Sequence, residues 1–216
     1  MNSFMMDIKN NSNDLHAVAE KTGFLKRLLE GKASTESYAE YLYNLYEVYN
    51  AIEVNLEKCK DNKVVKDFVL PEIYRAEAIL KDLKFLLGEN LNTMKPLAST
   101  RAYVARINEI GETAPELLVA HAYTRYLADL FGGRTIYGMV KDLYKIDEEG
   151  LNYYKYETLS DGPEMKGFVM NYHNKLNNIE LNEEMKERVL KKFTNIWKFK
   201  NIILIVQSRR KYKSKN

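Results

Sequence analysis

Asp129, Gly132 and Gly133 lie within the segment ELLVAHAYTRYLADLFGGRTIYGMV (116–140), the glycines three and four residues after the aspartate. On a helix that spacing projects all three from one side. A carboxylate beside backbone stripped of two Cβ atoms could hold a proton, or order water, next to a flat ligand lying against the chain. Each glycine costs about 1 kcal/mol relative to alanine in a helix interior, so something must offset the pair. Three readings stay open here: close packing of a neighbouring helix, a break between two helices, or that ligand. Arg125 precedes Asp129 by four residues. The aspartate is then either a surface residue or a partly buried carboxylate held by the guanidinium.

Histidines occur only at 16, 121 and 173. They form neither an HExxH motif nor a close pair, which argues against a zinc site. His16 precedes Glu20 by four residues and shares its helical face. A ring N–H donated to that carboxylate would fix the tautomer of a metal-bound imidazole. A single neutral histidine is the usual proximal ligand of heme iron in globins and peroxidases. The other reading of His16 is an ordinary surface or core histidine. His121 sits in an apolar stretch and reads as structural.

These residues need helices to position them, and the composition favours helices. The 216 residues include only 10 Gly and 4 Pro, with 45% hydrophobic and 29% charged residues. That is ordinary globular usage with few breakers. Mixed three- and four-residue apolar spacing predicts helices over 14–30, from Ser34 or Thr35 to about 60, 64–87 with an interruption at Pro71, 98–110, 114–141, 163–178 and 182–208. Asn13 or Asp14 caps the first and Gly31 closes it. Loops are expected at 88–96, 111–113 and 147–162. The expected class is all-α: a single helical domain over 1–208 with a basic tail at 209–216.

The formal net charge of +3 gives no argument for nucleic acid. The tail residues Arg209, Arg210, Lys211, Lys213 and Lys215 read as a solvated terminus. Cys59 is the only cysteine, so no intramolecular disulfide forms. The first residues carry no apolar core of signal-peptide length, and the run NIILIVQ (201–207) is too short to span a bilayer. The expectation is a cytoplasmic protein without a membrane anchor, and a monomer.

Taken together, the segments resemble heme oxygenase. ELLVAHAYTRYLADLFGGR (116–134) is similar to that family's distal-helix signature, and DLHAVAEKTGFLKRLLEGK (14–32) to its proximal-helix segment. LYEVYNAIE (45–53), LPEIYRAEAILKDL (70–83) and LNNIEL with RVLKKF (176–193) fall in the family's order. The resemblance runs from about 14 to 206. It implies heme b, as both substrate and cofactor, held between a proximal and a distal helix. His16 is then the axial iron ligand, with Glu20 beside it. Gly132 and Gly133 let the distal backbone lie against heme and O2, Asp129 orders water there, and Tyr49 and Arg125 support it. Lys9 and Tyr123 match positions that hold heme propionates. The implied products are biliverdin, Fe(II) and CO. With no flavin or nicotinamide motif in the sequence, electrons come from an external reductase.

The chain departs from the family at several of these positions. Ala128 stands where many members have glycine, and Phe131 replaces a small polar residue, so both bear on the distal pocket. Val169 and His173 stand where mammalian members carry a propionate-binding Lys and Arg, and Lys166 or Lys175 is the candidate substitute. The alternative function is a non-catalytic heme-binding or sequestration protein on the same fold. Such a protein keeps His16 but has no need of Asp129 or the glycine pair.

Overall fold

The computed structural model describes residues 4, 6–8, 23–159 and 162–191, without the side chains at 25, 131, 134 and 135. Among them are helices and 3-10 turns and no strand, so the expected all-α class is the observed one. The helices are α1 (Gly23–Leu29), α2 (Thr35–Lys58), α3 (Ala76–Leu87), α4 (Ala98–Thr113), α5 (Leu118–Tyr144) and α6 (Pro163–Asn177). A further helical stretch covers 183–191, and Asn182 opens it by accepting the Met185 N–H. Lys9, His16, Glu20, the cap expected at Asn13 or Asp14, the side chain of Phe131 and the tail 209–216 lie outside the described residues. Buried apolar side chains from Phe4 to Val189 make one cluster.

Helix α1 ends as its glycine predicts. Gly31 has φ 67°. The Lys32 N–H reaches back to the Arg27 carbonyl at 2.8 Å and the Gly31 N–H to that of Leu28 at 3.1 Å. Those paired bonds satisfy carbonyls that the last turn would leave orphaned. Tyr144, the last residue of α5, donates to the Leu28 carbonyl at 2.8 Å and accepts the Ala33 N–H at 3.3 Å. The C-terminal ends of α1 and α5 are thereby tied together.

Helix α2 organises its neighbours through buried polar side chains. Ser34 caps it by accepting the Ser37 N–H, as expected. Neither α3 nor α4 has a capping side chain of its own. Glu53 of α2 accepts the N–H groups of Arg75 and Ala76 at the start of α3, at 2.6 and 3.1 Å. Asn44 of α2 accepts the Leu97 N–H at 2.9 Å and the Thr100 hydroxyl at 2.7 Å, at the start of α4. A helix start exposes donors and a positive dipole end, so a carboxylate or amide oxygen from across the core does the work of a local cap.

Three sequence expectations need correction. The segment 64–87 is helical as one piece only from Ala76 onward, because Val65–Phe68 and Pro71–Ile73 are separate 3-10 turns. Pro71 supplies no N–H and keeps Leu70 out of the helical region, at φ −129° and ψ 80°. The expected loop at 111–113 is the last turn of α4. Gly111 is needed inside that helix because a Cβ there would collide with the Asn55 amide. Helix α5 runs unbroken to Tyr144, past the expected end at 141. The loops 88–96 and 147–162 stand, with 3-10 turns at Gly88–Thr93, Glu148–Gly150 and Asn152–Tyr154 inside them.

Candidate functional site

Asp129, Gly132 and Gly133 sit in the middle of α5, which is continuous helix across the glycine pair. The reading of a break between two helices is therefore set aside. Close packing by the described residues does not require the pair either. Among the described residues, a Cβ on Gly132 would meet nothing within 4 Å, and one on Gly133 would make ordinary contact with the Tyr154 ring at 3.8 Å. Among the described residues, nothing lies against the bare backbone at Gly132, and an aromatic ring lies beside it at Gly133.

Arg125 and Tyr49 come together behind this face. The Arg125 guanidinium lies over the Tyr49 ring, 4.9 Å from its centroid, and the Tyr49 hydroxyl approaches the Arg125 carbonyl at 3.5 Å. Arg125 is only 5% exposed, and its Nε has no hydrogen-bond partner among the described residues. A guanidinium N–H desolvated in that way is a donor that the described residues leave available. Asp129 is half-buried, with Oδ2 fully so.

A set of tyrosines surrounds the pair. Burial raises the phenol pKa values of Tyr41, Tyr153, Tyr154 and Tyr156, and the Asp129 carboxylate adds to the rise in all four. Arg125 opposes it at Tyr41, Tyr153 and Tyr156, and Tyr41 still stands at about 12. These phenols are neutral donors at physiological pH, and Asp129 provides negative charge in their midst. Tyr38 donates to the Tyr154 hydroxyl at 3.1 Å, which joins α2 to the segment after α5.

That segment, 152–156, was expected only as part of a loop, and it is a wall of the site. Two buried charges of α3 and its entry hold it. Asp82 accepts the N–H groups of Asn152 at 2.7 Å and Tyr153 at 2.8 Å, and the Asn152 side-chain amide at 2.8 Å. Arg75 donates through Nη1 to the carbonyls of Tyr153 at 3.3 Å and Lys155 at 2.5 Å, with its guanidinium 3.9 Å from the Tyr156 ring centroid. The local signal was the run NYYKY, whose three rings are too apolar a load for an idle connection.

Glu53 has a measurable signature. Burial pushes its carboxyl up from 4.5 to about 7, although the Arg75 and Ala76 N–H groups and the Tyr126 hydroxyl pull the other way. A carboxyl whose folded pKa exceeds its unfolded one binds its proton more tightly in the folded state. Stability from this group is then full below 4.5 and falls as pH rises to about 7, by up to about 3 kcal/mol. Glu53→Gln is expected to remove that fall. Urea denaturation of both proteins across pH 4–8 checks it, and parallel stability curves would refute the assignment.

Tyr123 and His173, from α5 and α6, meet with ring centroids 6.4 Å apart. Tyr172 packs on the same Tyr123 ring at 6.2 Å, and its buried hydroxyl has no partner among the described residues. Val169 is buried on α6, while Lys175 donates to the Asp67 carbonyl at 2.9 Å and Lys166 is exposed. Ala128 is half-buried on α5. His121 is structural as expected, fully buried with Nδ1 2.8 Å from the Tyr103 hydroxyl.

Comparison with known proteins gives a consistent result. A family model described as heme oxygenase matches residues 2–203. The heme oxygenase of Porphyra purpurea is 35% identical over 192 residues, 88% of this chain and 80% of that protein. Heme oxygenase 1 of Synechocystis is 35% identical over 176 residues, 81% of this chain and 72% of that protein. Among solved structures, heme oxygenase from Leptospira interrogans is 32% identical and superposes with a TM-score of 0.87, covering 94% of this chain and 98% of that one. Heme oxygenase-1 from Synechocystis, in complex with heme, is 29% identical with a TM-score of 0.91, covering 99% of this chain and 96% of that one.

Proposed function

The chain belongs to the heme oxygenase family and is an enzyme that degrades heme to biliverdin; from that premise we propose how its residues divide the work. The observation that carries the proposal is the bare backbone at Gly132, which no described residue covers, with Asp129 three residues before it and an Arg125 Nε that has no hydrogen-bond partner among the described residues. A flat macrocycle lying against that bare backbone is the reading it supports, since among the described residues a Cβ on Gly132 would meet nothing within 4 Å. Heme is the substrate, and when bound its iron supplies the O2-binding centre.

In this reading His16 binds the iron from the opposite side, with Glu20 fixing its ring. A neutral imidazole pushes less electron density onto the iron than a thiolate would, so the distal residues decide the outcome. The glycine pair brings backbone close to bound O2 and directs it towards a ring edge, an effect of orientation. Asp129 orders water and relays a proton through it, without the direct pull of a contacting acid. Tyr49 and Arg125 keep the Asp129 turn in place. Ala128 and Phe131 narrow the distal pocket. Lys9, Tyr123 and His173 bind the propionates, with His173 taking the part of the missing arginine. Lys175 is already committed to the Asp67 carbonyl, so it is the weaker substitute. O2, electrons from an external donor protein, and release of Fe(II) and CO complete the reaction. No helix among the described residues is long and apolar enough to cross a membrane. We place the protein in the cytoplasm, as a monomer.

The test is direct. One equivalent of hemin is added to the protein, then ascorbate and catalase in air. A heme absorption band that gives way to biliverdin establishes ring opening, with catalase excluding bleaching by free peroxide. A band stable under the reductant would instead make this a heme-binding protein. In His16→Ala the axial-ligand spectrum is expected to be lost and to return with added imidazole. Unaltered bands in that variant would assign the iron to another residue.

A further inference from the structure

A cavity of about 360 Å³ opens between α2 and α4, and no residue placed at the α5 site lines it. Its size is that of a small-molecule site. The two helices run parallel. Asn44 meets Leu97 and Thr100, Asn55 meets Asn108, and the Cys59 thiol donates to the Gly111 carbonyl at 3.4 Å. Glu47, Ala51, Val54 and Lys58 line the cavity from one face of α2, at four- and three-residue steps. Val104, Asn108, Gly111 and Glu112 line it from α4. Ala51 and Gly111 bring little bulk to the seam, which stays open.

The floor of the cavity carries an acceptor. Asn55 is 3% exposed, and its Nδ2 donates to the Ala51 carbonyl and to Asn108 Oδ1, both at 2.8 Å. Those two bonds fix the amide. Its Oδ1 lies beside Gly111 and accepts no hydrogen bond from the described residues. Asparagine and glycine are both poor helix formers, and together they set a buried acceptor at the cavity. Carboxylates stand at the two ends. Glu47 lies about two turns before Asn55, and Glu112 follows Gly111. Neither is in an ion pair among the described residues. From Glu47 to Lys58 is about 16 Å of helix axis. Val54, 41% exposed, and Val104 make the stretch between the ends apolar.

We propose that this cavity binds an aliphatic polyamine, at a site separate from the heme chemistry and independent of it. Ammonium groups at the two ends of the ligand meet Glu47 and Glu112 in charge-assisted hydrogen bonds. A middle N–H meets Asn55 Oδ1, and the methylenes cover Val54 and Val104. Lys58 is the one cation lining the cavity. It is exposed, so its long chain can carry the ammonium into water and leave the two carboxylates to the ligand. The chain has a formal net charge of +3, so a polycation finds no general attraction to it. Binding is therefore local to this pair of carboxylates. A ligand lying along the seam touches α2 and α4 at once and stabilises the folded state.

The experiment titrates spermidine into the full chain in a calorimeter, and follows the side-chain amide signals of Asn55 and Asn108 by nitrogen–proton NMR. One saturable site is expected, with both amide signals moving as it fills. Glu47→Gln and Glu112→Gln are each expected to weaken binding about tenfold, because each loses one charge-assisted bond. Butylamine, with a single ammonium group, is expected to bind at least about tenfold more weakly than spermidine. The NMR titration of the unaltered protein stands by itself should either variant fold poorly. No saturable uptake of spermidine, equal affinity in both glutamine variants, or signals that move only outside α2 and α4 would overturn the proposal. Butylamine binding as tightly as spermidine would overturn the polyamine assignment, since only one end of the cavity would then be in use.

Discussion

Asp129→Asn is expected to leave the fold and hemin uptake intact and to cut biliverdin formation by about a hundredfold. The substitution keeps the shape and one carbonyl oxygen of the side chain. It removes the group that can carry a proton, and it removes the negative charge. Asp129 lies on the open side of α5, three residues before Gly132, with Oδ2 buried among groups of the site. Burial raises the phenols of Tyr41, Tyr153, Tyr154 and Tyr156, and the Asp129 charge adds to the rise in each, as a carboxylate set among them does. A residue so placed acts on charge that develops during the reaction more than on heme at rest. The rate of biliverdin formation should fall while hemin affinity stays the same. The initial rate with ascorbate and catalase, beside a hemin titration, separates the two. Equal rates would remove Asp129 from the proton pathway, and a loss of affinity matching the loss of rate would make it a binding residue.

What was legible in the sequence was whatever depends on near neighbours. Helical periodicity placed α2, α4, α5 and α6 within a few residues, and Gly31 and Ser34 marked real ends. The Asp129, Gly132 and Gly133 constellation was legible because one turn of helix holds it. The starts of α3 and α4 were not marked in that way. Their caps are Glu53 and Asn44, far away in sequence, and no local pattern announces a carboxylate that reaches a helix start across the core. The tyrosine wall was hidden for the same reason. Residues 152–156 read as a connection between helices. Only the distant pairs of Asp82 with Tyr153 and Arg75 with Lys155 show that this connection is fastened down. Pro71 marked the expected interruption, but periodicity did not show that Val65–Phe68 and Pro71–Ile73 are 3-10 turns and that α-helix begins only at Ala76.

Asp82→Ala is expected to destabilise the protein by about 3 kcal/mol, and the loss should reach the site. Asp82 is fully buried and accepts three hydrogen bonds, two of them from the backbone N–H groups of Asn152 and Tyr153. Alanine leaves those donors facing a void. Each buried donor without a partner costs roughly 1–3 kcal/mol, so the backbone is expected to move in order to hydrate them. That movement carries Tyr153 from its edge-on contact with Tyr49 and Tyr154 from its place beside Gly133. Urea denaturation measures the stability, and hemin affinity measures the wall. Asp82→Asn keeps one acceptor oxygen and should lose less of both. If Asp82→Ala loses stability but binds hemin as tightly as before, the 152–156 segment is structural support and no part of the pocket. If it loses neither, the three bonds are replaceable by water, and the wall is held by Arg75 and its own ring contacts.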